Sequence, residues 1–467
     1  MTQRLAGAAL AAMLLSCACT VGPNYKRPVV NAPASYRGAS PDTTGPESAA
    51  SLGDEKWWSV FQDEALQKLV RTALTQNYDV RIAATRIQQA AQQVTITRAD
   101  QFPNVSAGPG FTGVRSPSIP GVFPGYSYLA DTLTASVSWN IDFWGRYRRA
   151  TEAARANLLA AEWNRRAVIS TLVENLATAY FQMRDLDLQL DIAKQTLTSR
   201  QQSLKLTQTL EQGGATSLVD VRQAEQLVEE AAATIPDTER QIAQTEDQIS
   251  VLIGENPHDI ARGRKLEDEP LPQTVPPGIP SRVLERRPDI RAAEQQLVAA
   301  NAEIGVARAQ LFPQISLTGS GGLESIGLGN LFTASNRTWT YTAGLTQPIF
   351  NAGALRANVR LSEAQQQQYL LTYQQTIQTA FREVSDSLFA YRKYREYRVH
   401  QEALTAAAKD AANLSEIRYR GGATSYLEVL TNETTYFSAE LGLAQARLNE
   451  RLSLVQLYNA LGGGWEQ

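Results

Sequence analysis

Cysteine is nearly absent from this chain of 467 residues; it has two, and both lie within the first twenty positions. Everything after Cys19 is therefore built without a disulfide and without a thiolate-ligated metal site. Histidine is as scarce. His258 and His400 stand far apart, so no histidine-based metal or catalytic cluster presents itself. No glycine-rich phosphate loop follows a strand pattern. The sequence offers no catalytic residues, no metal ligands and no cofactor site, and it is not read as an enzyme. Positive charge is also not in excess. With 44 basic and 47 acidic side chains the net charge is −3, which gives no footing for nucleic acid. Helix breakers are missing over one long stretch. Between Arg146 and Gln212 there is no Pro or Gly, which allows about 65 residues, or ~100 Å, of continuous helix. Within it Leu172, Leu176, Ala179, Met183, Leu186, Leu190, Ala193 and Leu197 recur in alternating steps of four and three, the rhythm of a coiled-coil seam. The apolar stripe is narrow, so such a helix packs sideways on neighbours and leaves wide polar faces.

The N-terminus begins Met-Thr-Gln-Arg and runs apolar from Leu5 to Leu15, too short for a permanent span. It ends Leu14-Leu15-Ser16-Cys17-Ala18-Cys19, which resembles a bacterial lipoprotein signal, in which a cysteine becomes the lipid-bearing first residue. Leu14, three residues earlier, favours Cys17; Cys19 is the alternative. Residues 1–16 read as the signal. Residues 17–56, rich in Pro, Ser, Ala and Gly, read as an extended tether.

After helical patterning from Trp57 to about Ala99 the period drops to two. Leu133, Ala135, Val137, Trp139, Ile141 and Phe143 alternate with Thr134, Ser136, Ser138, Asn140 and Asp142. That is a strand with one apolar and one hydroxyl-rich face, long enough to cross a bilayer when tilted. The whole programme then recurs. Arg98-Ala99-Asp100-Gln101-Phe102-Pro103 returns as Arg308-Ala309-Gln310-Leu311-Phe312-Pro313, and Gly213-Gly214-Ala215-Thr216-Ser217 returns as Gly421-Gly422-Ala423-Thr424-Ser425. The offset of about 208 residues marks a tandem duplication. The expected division is repeat one at 57–253, with two strands within about 104–143 and a long helical hairpin. A connector at 254–281 follows, then repeat two at 282–461 with strands within about 314–347, and a tail at 462–467. The four strands are expected near 105–114, 129–143, 314–322 and 338–347. Behind each Gly-Gly turn the spacings Ser217 to Asp220 and Ser425 to Glu428 fit a helix capping box.

Four amphipathic strands are too few to close a barrel, and an open sheet edge does not face lipid. If the strands are membranous, several chains share one barrel; two would give a filled eight-stranded barrel, three a twelve-stranded one with room for a pore. The competing reading is a periplasmic coiled-coil adaptor or structural protein whose hairpins pack on a soluble sheet.

The chain resembles the bacterial outer membrane efflux proteins related to TolC, in the NodT-like lipoprotein branch. The resemblance rests on Cys19-Thr20-Val21-Gly22-Pro23-Asn24-Tyr25, on Trp57-Trp58 with Phe61, and on Arg287-Pro288-Asp289-Ile290 with Ala293-Glu294. Phe312-Pro313 and Leu461-Gly462-Gly463-Gly464-Trp465 complete it. It implies a mixed α and β fold: a homotrimer with a twelve-stranded transmembrane barrel, four strands per chain, continued by a long periplasmic α-helical barrel. It implies a lipid-anchored protein of the Gram-negative outer membrane that passively exports drugs or other small molecules. These would be handed over by a periplasmic adaptor and an inner membrane pump of the RND type; a channel for type I protein secretion is the variant reading. It also implies a periplasmic gate carrying Glu428 and Tyr419, with Thr424 where the TolC branch has an arginine and Thr431 where it has a second acid; the repeat puts Asp220 at the position equivalent to Glu428, so it is expected at the gate as well. The adaptor-docking tips are then Gly213, Gly214, Ala215 and Thr216, and Gly421, Gly422, Ala423 and Thr424.

Overall fold

The computed structural model describes residues 20–38, 51–118, 120–121, 124–268, 270–272 and 275–466. The signal segment, Cys17 and Cys19 lie outside the described residues. Three helices open the regular part: α1 (Trp57–Val60), α2 (Glu64–Gln76) and α3 (Tyr78–Ala99). The hairpin β1 (Asn104–Ser116) and β2 (Tyr126–Ile141) follows, and then α4 (Arg146–Gln212) and α5 (Leu218–Ile253). After the connector come α6 (Pro280–Arg286), α7 (Pro288–Ala309), β3 (Gln314–Ser325), β4 (Arg337–Thr346), α8 (Ala354–Arg420) and α9 (Tyr426–Ala460). The two long helices α4 and α8 have the same length, 67 residues. The chain folds as two compact units. One comprises Met1–Val29, Arg86–Glu162 and Ala292–Gln374; the other comprises Val30–Thr85, Trp163–Arg291 and Gln375–Gln467.

The first unit contains one sheet in the order β1-β2-β3-β4, every pair antiparallel. The register sorts side chains cleanly because neighbouring residues on a strand face opposite sides. Val105, Val137, Gly319 and Tyr341 form one row, and Ala107, Ala135, Gly321 and Trp339 the next. On the other face the rows are Ser106, Ser136, Ser320 and Thr340, then Asn104, Ser138, Thr318 and Thr342. The outer edges of β1 and β4 find no partner strand within the sheet. Each strand end lies within three residues of the position expected from alternation, with β2 starting earlier at Tyr126, where stacked Tyr126 and Tyr128 extend the strand.

The segment after Cys19 is bound in the same unit. Val21 N–H donates to the Trp144 carbonyl at 3.0 Å. Arg149 donates to the carbonyls of Val21 and Gly22 and, at 2.7 Å, to Asn24 Oδ1. Gly22 has φ +103, and a Cβ there would stand 2.5 Å from Gly305 Cα. Both facts require glycine. Tyr25 and Arg27 then meet the Glu294 carboxylate. The Phe312-Pro313 pair is held by Trp144, whose ring stacks on Phe312 at 4.7 Å and whose indole donates to the Pro313 carbonyl at 2.8 Å.

In the second unit five of the eight α4 seam positions are buried, while Leu186, Leu190 and Leu197 are half-buried. Leu176, Ala179, Met183 and Ala193 have no exposed surface. Arg287, which begins the Arg-Pro-Asp-Ile motif, is also buried. It is neutralised by Asp289 and Glu383, each at 2.7 Å, and donates to the Ala460 carbonyl. The motif therefore fastens the last helix to the start of α7.

Candidate functional site

The two helix–helix turns of the second unit have the same backbone. Ala215 N–H donates to Leu210 O and Gly214 N–H to Glu211 O; Ala423 donates to Arg418 O and Gly422 to Tyr419 O. These are Schellman closures, which need a left-handed residue, supplied by Gly214 at φ +73 and Gly422 at φ +71. Nothing crowds either glycine, so the requirement is purely conformational.

The acids that follow behave differently. In the first hairpin the expected capping box forms: Ser217 Oγ accepts from Asp220 N–H, and Asp220 Oδ2 accepts from Ser217 N–H at 3.1 Å. Asp220 Oδ2 also accepts from the Thr216 hydroxyl at 2.5 Å and the Ser217 hydroxyl at 2.9 Å. Partial burial works against its charge, but these donors outweigh it and hold the carboxyl below its ordinary value.

In the second hairpin the capping box expected from Ser425 and Glu428 does not form, since Ser425 makes no side-chain cap. Glu428 is one methylene longer than Asp220 and reaches elsewhere. Its Oε1 accepts from Arg418 Nη1 at 2.6 Å and its Oε2 accepts from the Thr424 hydroxyl. Arg418 occupies the position that Leu210 holds in the first hairpin, so a cation is available to one acid and not to the other.

Tyr419 joins the two turns. It is buried, packs on Tyr426 at 5.3 Å, and its hydroxyl lies 3.5 Å from Thr216 Oγ1 as donor. The structure thus links Asp220 to Tyr419 through Thr216, and places Glu428 with Arg418 and Thr424 instead. Beneath them Ala224, Tyr419, Tyr426 and Val429 form an apolar layer, joined by Leu204 and Leu210. Leu218, Val219 and Leu427 at the turns remain exposed.

Sequence reasoning missed the next layer. Arg200 is buried, donates to the Leu227 carbonyl at 2.8 Å, pairs with Glu230 at 3.1 Å and lies over the Phe437 ring. Glu433 faces this layer; burial pushes its carboxyl up, partly opposed by Arg200. The available signal was a charged residue on the seam, because Arg200 is the next seam position after Leu197.

Comparison with known proteins agrees with this architecture. The outer membrane efflux protein family matches residues 69–255 and 279–463, once in each half of the chain. The probable efflux pump outer membrane protein TtgC of Pseudomonas putida is 37% identical over 471 residues, covering 100% of this chain and 96% of TtgC. Among solved structures, the outer-membrane channel OprN superposes with a TM-score of 0.89 at 31% identity, covering 96% of this chain and 100% of that one. The open-state MtrE outer membrane channel of Neisseria gonorrhoeae gives a TM-score of 0.86 at 31% identity, covering 96% and 99%. These likenesses set aside the periplasmic adaptor reading. With its open four-stranded sheet and its paired long helical hairpins, the chain belongs to the outer membrane efflux protein family and is a TolC-like outer membrane efflux channel.

Proposed function

We propose that three copies assemble, each giving β1–β4 to one twelve-stranded barrel, and that the assembly is a passive duct for drugs or other small molecules with no catalytic chemistry of its own. One observation carries this. The sheet has an apolar face, a hydroxyl-rich face and two open edges, and only closure with other copies satisfies those edges in lipid. Three sheets of four strands leave an aqueous lumen lined by Ser and Thr, whereas two would be filled. A lipid chain on Cys17 or Cys19 anchors the N-terminus to the outer membrane. The Cys19 register is supported by the binding of the very next residues: Thr20 lies against Gly145 and Val21 pairs with Trp144.

On this reading the tips at 213–216 and 421–424 dock a periplasmic adaptor that couples the duct to an inner membrane pump of the RND type. Exposed Leu218, Val219 and Leu427 supply apolar contact area beside those turns. Asp220, Glu428 and Tyr419 of the three copies line the periplasmic mouth. The test is heat-modifiable migration of the protein purified from outer membranes, together with conductance in planar bilayers. A trimer band that collapses on boiling and discrete channel steps are expected. A monomer that conducts nothing would overturn the proposal.

A further inference from the structure

Trp57 and Trp58 take no part in the sheet or in the helix turns described above. They open α1 with ring centroids 5.2 Å apart and planes at 89°, so they make two walls of a corner. Arg71, Leu74 and Thr75 of α2 and Arg165 of α4 complete a hollow of about 530 Å³. All of these residues belong to the second unit.

Apart from Thr75, whose hydroxyl donates to backbone carbonyls of its own helix, the polar groups of this hollow are nitrogen donors. Trp57 is 2% exposed, yet its indole N–H has no acceptor. Arg165 Nε is likewise buried without an acceptor, and Arg165 forms no ion pair among the described residues. Arg71 makes one 3.3 Å bond to Gln67, and its guanidinium sits 5.9 Å from the Trp57 ring. Lys56 adds a third cation over Trp58 at 5.0 Å. No carboxylate lines the hollow. Neither the Trp57 indole nitrogen nor Arg165 Nε is reachable from the hollow, so what the hollow offers a ligand is charge: guanidinium groups without counter-charge in a partly enclosed site attract anions.

We infer that this hollow binds a small organic anion, an aromatic carboxylate, in a site separate from the duct. Arg165 and Arg71 both line the hollow, and guanidinium is the side-chain group that best complements a carboxylate. The indole walls and Leu74 match a flat apolar ring, which an inorganic anion would leave unused. A cation is excluded by the surrounding charge, and a zwitterion finds no acid for its ammonium group.

The probe is 4-fluorobenzoate, followed by 19F line broadening with the full-length protein in detergent. Saturable binding is expected. Arg165→Gln and Arg71→Gln should each weaken it by at least about tenfold, and Trp58→Leu should weaken it severalfold. The neutral isostere 4-fluorobenzyl alcohol should not compete. Arg71 is exposed, so its substitution leaves folding intact even if Arg165→Gln does not. Absence of saturable binding, wild-type affinity in the Arg71→Gln variant, or equal competition by the alcohol would each overturn the inference. So would a change in oligomeric mass on Arg165→Gln with no benzoate binding by the wild type, which would assign the hollow to a carboxylate of another copy.

Discussion

Arg418 Nη1 stands 2.6 Å from Glu428 Oε1, bridging the second helix turn, while the equivalent first-turn position is Leu210. Duplication copied the backbone of the turn but not its electrostatics. If the three copies bring these acids to one mouth, three are already paired with arginine and three are not. Carboxylates crowded on a ring raise one another's pKa and attract cations.

The first prediction follows from that asymmetry. Asp220→Asn removes charge that no cation balances and should lower cation selectivity in planar bilayers more than Glu428→Gln does. Arg418→Leu should raise it by exposing Glu428. Stability should change by only about 1 kcal/mol or less in each case, because a helix cap and a half-exposed ion pair each contribute little. Unchanged reversal potentials in the Asp220→Asn, Glu428→Gln double variant would remove both residues from the gate.

Asp220 also fixes a pH dependence. Its folded-state value is depressed, so its contribution is present above the unfolded carboxyl value and is lost as pH falls through the folded one. The melting difference between wild type and Asp220→Asn should therefore be largest at neutral pH and shrink once the pH falls below the ordinary carboxylate value of about 3.9.

Asp185 predicts the opposite sign. It is 2% exposed, its Oδ1 has no hydrogen-bond partner, and burial pushes its carboxyl up to about 6 against a single bond from Gln189 at 2.6 Å. With the folded value above the unfolded one, the wild type loses stability as pH rises from about 4 through 6. Asp185→Asn should accordingly stabilise the protein above pH 6, by up to about 2 kcal/mol, and make no difference at pH 4. Thermal melts at the two pH values decide it.

Gly22 and Gly305 give a test of the bound N-terminal segment. Alanine at position 22 meets both a left-handed backbone and the Gly305 backbone, and should release residues 20–27 at a cost of ~1–3 kcal/mol. Limited proteolysis should then cut within residues 20–27, with Gly305→Ala giving the same pattern. Resistance equal to wild type would show that the segment is held some other way.

Much of this was legible from local pattern. The α4 seam and the alternating strands are statements about burial at fixed spacing, and Gly214 and Gly422 follow from how a helix must end. What escaped notice depended on partners distant in sequence. Gly22 needs glycine because of Gly305, and no local spacing announces that contact. Arg200 reads as a break in the seam until the Leu227 carbonyl and Glu230 on the next helix are placed beside it. The two capping boxes share their spacing and differ only in Asp220 against Glu428. Only side-chain length and the exchange of Leu210 for Arg418 decide that one forms and the other does not.

The shared barrel makes the sharpest demand on the chain, because its evidence lies in the register of one sheet. Val137 and Tyr341 share a row, as do Trp139 and Ala343, and Ile141 and Leu345. Ser136, Ser138 and Thr340 face the other way. If three copies close the barrel, the first set faces hydrocarbon and the second faces water, and no intermediate environment exists for either. Single cysteines can be placed in a chain whose native cysteines have been replaced by serine. At 137, 139, 141, 341 and 345 they should react with a lipid-phase reagent and resist a charged aqueous one. Cysteines at 136, 138 and 340 should show the reverse. The edges add a second condition, since β1 of one copy must pair with β4 of the next. When a cysteine at 107 is combined in turn with one at 339, 341, 343 or 345, at least one pair should therefore cross-link between copies and not within one. Equal labelling of both faces, or cross-links confined to single chains, would leave the sheet as a soluble platform and rule the barrel out.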